Sequence, residues 1–268
     1  MDIKIIVAAH KSCEVPKDSV YLPLFVGAKG KQSIIGTRGG VNETFARDDS
    51  GDNISEKNPT FCELTGIYWA WKNLDTDVIG LVHYRRLFGR GNHNNPMDFA
   101  MSGDEFRTHL DKAAILIPKK RQYYIESLWS HYSNTHSEEH LKLTREIIKL
   151  KHLDQIEVFD NVLNRTSGAM FNMFVMGKGL LNEYCEWLFP MLFELEKQVE
   201  TGELSSFDAR LFGRISELLF NVWLEIKQNE GICISEIPWY STTKVPWGKK
   251  IVSFLNAKFI GKKYEGSF

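Results

Sequence analysis

Short apolar runs alternate along this chain with longer stretches in which apolar residues recur every three or four positions. Residues Ile3–Ala9 form the first run and stop at His10-Lys11, the pattern of a strand buried on both faces. An extended segment at 20–26 follows, and then two polar passages, 36–42 and 48–55, with the Gly, Asn and Asp content of loops. Thr60-x-x-Glu63, just after Pro59, predicts a boxed helix start and a helix through about Asn73. Residues 78–84 predict a second buried strand, followed by a Gly/Asn/Pro-rich loop over 89–101. Ser102-x-x-Glu105 caps a short helix, and 113–117 predicts a third strand. Beyond Lys119-Lys120-Arg121 the period turns helical, with helices expected over 138–151, 179–199 and 206–228 and strands over 170–176 and 232–234. Such alternation implies an α/β fold with a mainly parallel central sheet flanked by helices and a helical C-terminal half. Ligands then belong in the crevice outside the strand C-termini.

A length of 268 residues suits one large domain, placed at 1–240, with a separate tail at 241–268. That tail carries six lysines (Lys244, Lys249, Lys250, Lys258, Lys262, Lys263) against Glu265 alone, interleaved with Trp247, Phe254, Phe259 and Ile260. It predicts peripheral, salt-sensitive contact with an anionic membrane, or else a solvated terminus whose rings pack back on the domain. The whole chain, at a net charge of -1, excludes a nucleic-acid-coating protein. The four cysteines are scattered, with no C-x-x-C pair, which disfavours structural zinc and a disulfide framework and favours reduced thiols. The N-terminus runs directly into a strand pattern without a cationic signal region, and the apolar stretch 185–195 is broken by Glu186, Pro190 and Glu194. The expectation is a soluble, cytoplasmic protein.

Candidate chemistry lies just past the strand ends. Ala9-His10-Lys11 offers a small residue for close backbone approach and two donors for an anion, or a plain surface turn. The second strand runs straight into His83, Tyr84, Arg85 and Arg86, and two arginines at a sheet edge suit a diphosphate. The alternative pairs one arginine with a core carboxylate and leaves the other in solvent. The 48–55 loop, with Asn53 and Ser55, lacks the spacing of a calcium loop and reads as polar residues that order around a ligand. Glu63 either faces the site or only closes its capping box, and Tyr68, Trp69 and Trp71 read as core. Arg210, Arg214 and Glu217 share a helix face at spacings of four and three. A partly desolvated Glu217 is the first candidate for a general base and Asp208 the second, against a salt bridge from Glu217 to Arg210 or Arg214. His136 sits at a helix boundary from which its ring can reach a cleft. No P-loop, G-x-S-x-G, H-E-x-x-H or G-x-G-x-x-G pattern occurs.

The block from Asp52 to Asn73, followed by Ile79-Gly-Leu-Val-His-Tyr-Arg-Arg86, resembles the signature of a bacterial family of capsular and exopolysaccharide glycosyltransferases long filed as a domain of unknown function. Ala9-His10-Lys11, Asn172-Met-Phe-Val-Met176, Tyr184-Cys-Glu-Trp-Leu-Phe189 and Arg210-x-x-Gly-x-x-x-Glu217 extend the resemblance over nearly the whole chain. It implies a GT-A-like fold, a UDP-sugar donor, galactofuranosyl transfer in some relatives, and a saccharide or lipid-linked saccharide acceptor at the inner face of the cell membrane. Taken together with the residue patterns, Ala9, His10, Lys11, Asn53, Ser55, Glu63 and His83 to Arg86 are expected to serve the donor, with His136, Asn172, Arg210 and Arg214 on the sugar or acceptor side. Most GT-A enzymes bind Mn2+ or Mg2+ through Asp-x-Asp after the corresponding strand. Here His83-Tyr84-Arg85 stands in that place, and no metal is expected. A nucleotidyl- or phosphotransferase and a non-catalytic carbohydrate-binding protein are the competing readings.

Overall fold

The computed structural model describes residues 1–91, 96–200, 205 and 207–243. Nine strands form the central sheet: β1 (Ile3–Ala9), β2 (Tyr21–Phe25), β3 (Ala46–Arg47), β4 (Val78–His83), β5 (Arg86–Phe88), β6 (Ile115–Pro118), β7 (Phe174–Gly177), β8 (Ile234–Ile237) and β9 (Trp239–Ser241). Across the sheet they run β8-β6-β7-β4-β1-β2-β3, with β5 bridging β4 and β9. Along that path only β7 is antiparallel to its neighbours. The sheet is therefore mainly parallel, and the strand ends of β1, β4 and β6 emerge along one edge.

The central strands read as unbroken apolar runs because both their faces are buried. In β1, Ile6 and Ala8 join one core while Ile3, Ile5, Val7 and Ala9 join the other. In β4, Ile79 and Leu81 point to the first core and Val78 and Val82 to the second. The larger core lies under helices α1 (Asn58–Phe61), α2 (Leu64–Asn73), α4 (Leu128–Thr135), α5 (Glu139–Lys151), α6 (Ile156–Leu163), α7 (Lys178–Gln198) and α8 (Leu211–Asn229), and α3 (Gly103–Leu110) covers the other face. No helix among the described residues is long and apolar enough to cross a membrane.

Several boundaries depart from the sequence pattern. Thr60 and Glu63 form no capping box: the helix expected over 60–73 breaks at Cys62, where φ is +54°. The Thr60 hydroxyl instead donates to the Lys57 carbonyl, which frees Glu63 for other work. The strand expected at 170–176 begins only at Phe174, since Phe171 and Asn172 both hold left-handed backbone. The strand expected at 232–234 lies at Ile234–Ile237, and the last long helix starts at Leu211 after a short 3-10 turn, Asp208–Arg210. The Ser102 box forms as expected, with reciprocal bonds between Ser102 and Glu105. The basic tail, beyond residue 243, lies outside the described residues.

Candidate active site

The sheet edge at the ends of β1 and β4 gathers most of the candidates. His10 and Tyr84 meet edge to face, with ring centroids 5.3 Å apart. The Lys11 ammonium lies 5.6 Å and the Arg85 guanidinium 5.4 Å from the same Tyr84 ring. Among the described residues, Lys11, Arg85 and Arg86 have no carboxylate at ion-pair distance. His10 is exposed at the rim. Partial burial, and then the charges of Arg85, Lys11 and Arg210, hold its pKa below the usual histidine value. A cationic rim of this kind attracts an anion, and arginine suits a phosphate best.

Behind the rim, one residue joins the parts. The Phe171 carbonyl accepts from His83 Nε2 at 2.6 Å, and its backbone N–H helps hold down the pKa of the Glu217 carboxylate. Its ring lies 4.3 Å from the Arg86 guanidinium and 4.8 Å from the Trp239 ring. All of this depends on a backbone φ of +77°, which costs a bulky residue of order 1–3 kcal/mol and persists only where the surroundings enforce it. Donation from Nε2 fixes the His83 tautomer, and burial keeps the ring neutral by lowering its pKa.

Glu217 projects from α8 and is half-buried. Burial, and then the negative charge of Glu63, push its pKa up to about 7, against the opposing pull of the Phe171 N–H, Arg86 and Arg214. A carboxylate so placed takes up a proton near neutral pH, as a general base must. Glu63 is nearly buried and accepts from Asn172 Nδ2 at 2.7 Å; the same amide group donates to the Gly213 carbonyl at 3.0 Å. Ser216 completes the clamp by donating to Asn172 Oδ1 at 3.1 Å. Gly213 lets α8 cross closely over the break between α1 and α2, where a Cβ would stand a tight 3.1 Å from the Cys62 side chain. Arg210 Nε sits 3.3 Å from Cys62 Sγ, and burial raises that thiol's pKa to about 11.

A second group flanks Glu217. The Arg214 guanidinium lies 4.0 Å from the Phe207 ring and donates to the His136 ring. His136 is packed between Tyr132 and Phe207, each centroid 5.0 Å away, and its Nδ1 is 3.4 Å from Asp208 Oδ1. Burial, and then Arg214, push the His136 pKa down to about 3, so the ring is neutral and serves to hold Arg214. Asp208 also accepts from Ser205 at 2.8 Å, which engages its carboxylate outside the floor of the cleft.

Asn53 and Ser55 stand apart from this cluster. Asn53 bonds within its own loop, to the Gly51 carbonyl and the Ser55 N–H. Ser55 is buried; its hydroxyl donates to Asp48 and accepts from the Lys29 N–H. Asp48 also accepts from the Gly27 and Ala28 N–H groups and from the Thr65 hydroxyl, so the 48–55 loop is ordered by its own buried carboxylate. Asp49 pairs with Arg47 at 2.7 Å. Among the described residues no group of three or more His, Cys, Asp or Glu is disposed to hold a metal ion. Sequence reasoning missed Phe171 and the break at Cys62. The one local signal was Asn172, a residue type that tolerates left-handed backbone.

The mainly parallel sheet flanked by helices, with a helical C-terminal part, matches a glycosyltransferase-like α/β fold. The chain belongs to the family described as Domain of unknown function (DUF4422), whose model matches residues 4–229. Among solved structures it is similar to the apo structure of WbbM, a bifunctional glycosyltransferase, at 25% identity and a TM-score of 0.81. The match covers 91% of this chain and 46% of the other, so this chain spans about half the length of that protein. A search of curated proteins finds no match.

Proposed function

We propose that this chain is a glycosyltransferase that takes a hexose from a UDP-sugar and passes it to a saccharide or lipid-linked saccharide acceptor. The observation that carries the reading is the pairing, across one cleft, of arginines without carboxylate partners and a carboxylate whose pKa lies near 7. The likeness to a bifunctional glycosyltransferase over most of this chain supports it. Arg85 and Arg86, with Lys11 and His10 at the rim, bind the diphosphate, and Ala9 lets the nucleoside approach the backbone. No divalent ion is needed, because guanidinium charge neutralises the leaving group where a metal otherwise would.

In the reaction, Glu217 accepts the proton of the acceptor hydroxyl. The hydroxyl oxygen bonds to the anomeric carbon from the face opposite the donor oxygen. The bond from that carbon to the β-phosphate oxygen breaks, its electron pair leaves with UDP, and configuration inverts. Glu63, Asn172 and Ser216 hold the floor on which Glu217 sits, and Arg210 and Arg214 face the sugar. Galactofuranose is the preferred donor sugar by the resemblance of the 52–86 block, and surface-polysaccharide assembly at the inner face of the membrane is the setting that resemblance implies. A phosphotransferase would use the carboxylates Asp75 and Asp77, but these precede β4, at the opposite edge from the cleft, and Asp77 is occupied by the Asp2 N–H at 2.6 Å.

The test is UDP release on incubation with UDP-hexoses and saccharide acceptors. The wild type is expected to release UDP, and Glu217→Gln to do so roughly 10²–10⁴-fold more slowly with unchanged UDP affinity. Equal turnover by Glu217→Gln removes it as the base. No release by the wild type from any UDP-hexose removes the reading.

A further inference from the structure

The loop that leaves β6 is built to present two apolar side chains to solvent. Tyr124 is 82% exposed and Ile125 69% exposed. Tyr124 holds a φ of +58°, a conformation its own packing does not repay. The flanks supply the hold instead. Arg121 and Gln122 pair with Gly168 and Ser167 as a two-stranded ribbon. The Tyr123 N–H donates to the Thr166 carbonyl at 2.8 Å, and the Leu128 N–H to the Arg165 carbonyl at 2.8 Å. Glu126 is buried directly after the tip, accepting from Asn134 at 2.9 Å and lying 2.7 Å from His131 Nδ1. The His131 ring in turn lies 4.2 Å from Tyr123. This is a stiff turn with an exposed aromatic tip.

Its place in the fold is equally specific. β6 runs parallel to β4, through the antiparallel β7 between them, so this loop rises from the same sheet edge as Arg85 and Arg86. Tyr123, below the tip, lies within the electrostatic field of Glu217, and Arg121 within that of Arg86. The ribbon partner Ser167–Gly168 leads directly to Phe171.

From this juxtaposition we infer that Tyr124 and Ile125, edged by Arg121 and Gln122, form a platform for the pyranose or furanose ring of the acceptor saccharide. The inference rests on the glycosyltransferase reading and adds the acceptor subsite to it. A sugar ring presents an apolar C–H face to an aromatic side chain and hydroxyls to the polar groups beside it. Tyr124 supplies the first, and the exposed Arg121 and Gln122 supply the second. The patch is far smaller than the roughly 800 Å² per partner of a stable protein interface, and one arginine falls short of the cation cluster that holds an anionic membrane. A stiff platform also limits the ordering entropy lost on binding.

The test is retention of the purified full chain on an array of immobilised bacterial surface oligosaccharides, with saturating UDP present. UDP affinity is measured separately by calorimetry. Wild type and Tyr124→Phe are expected to retain the same glycans, and Tyr124→Ala to lose at least about tenfold in apparent affinity with UDP affinity unchanged, the loss of one aromatic contact. Equal retention by Tyr124→Ala, or no glycan retained by a wild type that binds UDP, overturns the platform. A wild type that fails to bind UDP overturns the donor reading instead, and the platform then stands or falls on the array alone. Because Tyr124 is exposed and strained, Tyr124→Ala is expected to melt with the wild type, which separates lost binding from lost folding.

Discussion

Glu217, the proposed base, weakens the fold that carries it. Its pKa, about 7 in the folded chain against 4.5 as the reference for an unfolded one, means that the native state holds this proton more tightly. Ionisation therefore costs stability as pH rises from about 4.5 through about 7. The cost at pH 8 is at most about 3 kcal/mol at 1.36 kcal/mol per pKa unit, and less to the extent that solvent screens this half-buried group. Glu217→Gln keeps the size and the acceptor for the Phe171 N–H while removing the charge. Thermal melts should show the variant above the wild type at pH 8, with the gap closing by pH 5. A variant that melts lower at pH 8 would make Glu217 a structural ion-pair partner. Activity should move the opposite way, rising in the wild type as pH passes through about 7, because the base works only when ionised.

Among the elements, the join between the end of β2 and α2 depends on a single carboxylate. Asp48, fully buried, accepts from two backbone N–H groups and two hydroxyls. Asp48→Ala leaves those donors without partners and is expected to destabilise by at least about 3 kcal/mol, read as a lower urea midpoint with unchanged slope. An unchanged midpoint would mean that solvent replaces the carboxylate. The same scale shows what the sequence makes legible. β1 and β4, buried on both faces, were plain as apolar runs, and α5 and α7 as helical periods, because burial itself writes those patterns. Arg85 and Arg86 could be placed at the cleft because a strand end has a direction. The break at Cys62 was hidden, since Thr60-x-x-Glu63 satisfies the rule for a capping box while Glu63 is drawn away to Asn172. Phe171 was hidden for a different reason: a left-handed phenylalanine is enforced by contacts from β4, α8 and β9 that lie far away in sequence.

At the scale of the whole molecule, the mainly parallel sheet brings the loops after β1, β4 and β6 to one edge. The proposed cation site, base and acceptor platform thus come from distant parts of the chain yet lie toward one edge of the sheet. If arginines serve the diphosphate as proposed, turnover should persist undiminished in EDTA. Activity that vanishes with EDTA and returns only with Mn2+ would assign the leaving-group charge to a metal and contradict that part of the mechanism. The most direct test of the site is a calorimetric titration of UDP, in EDTA, into the wild type and into Arg85→Ala, Arg86→Ala and the double variant. The wild type should bind, each single variant should lose about 1.5–3 kcal/mol, and the double variant should lose binding altogether. Equal UDP affinity in the wild type and the double variant would contradict the assignment of this sheet edge to a sugar-nucleotide diphosphate.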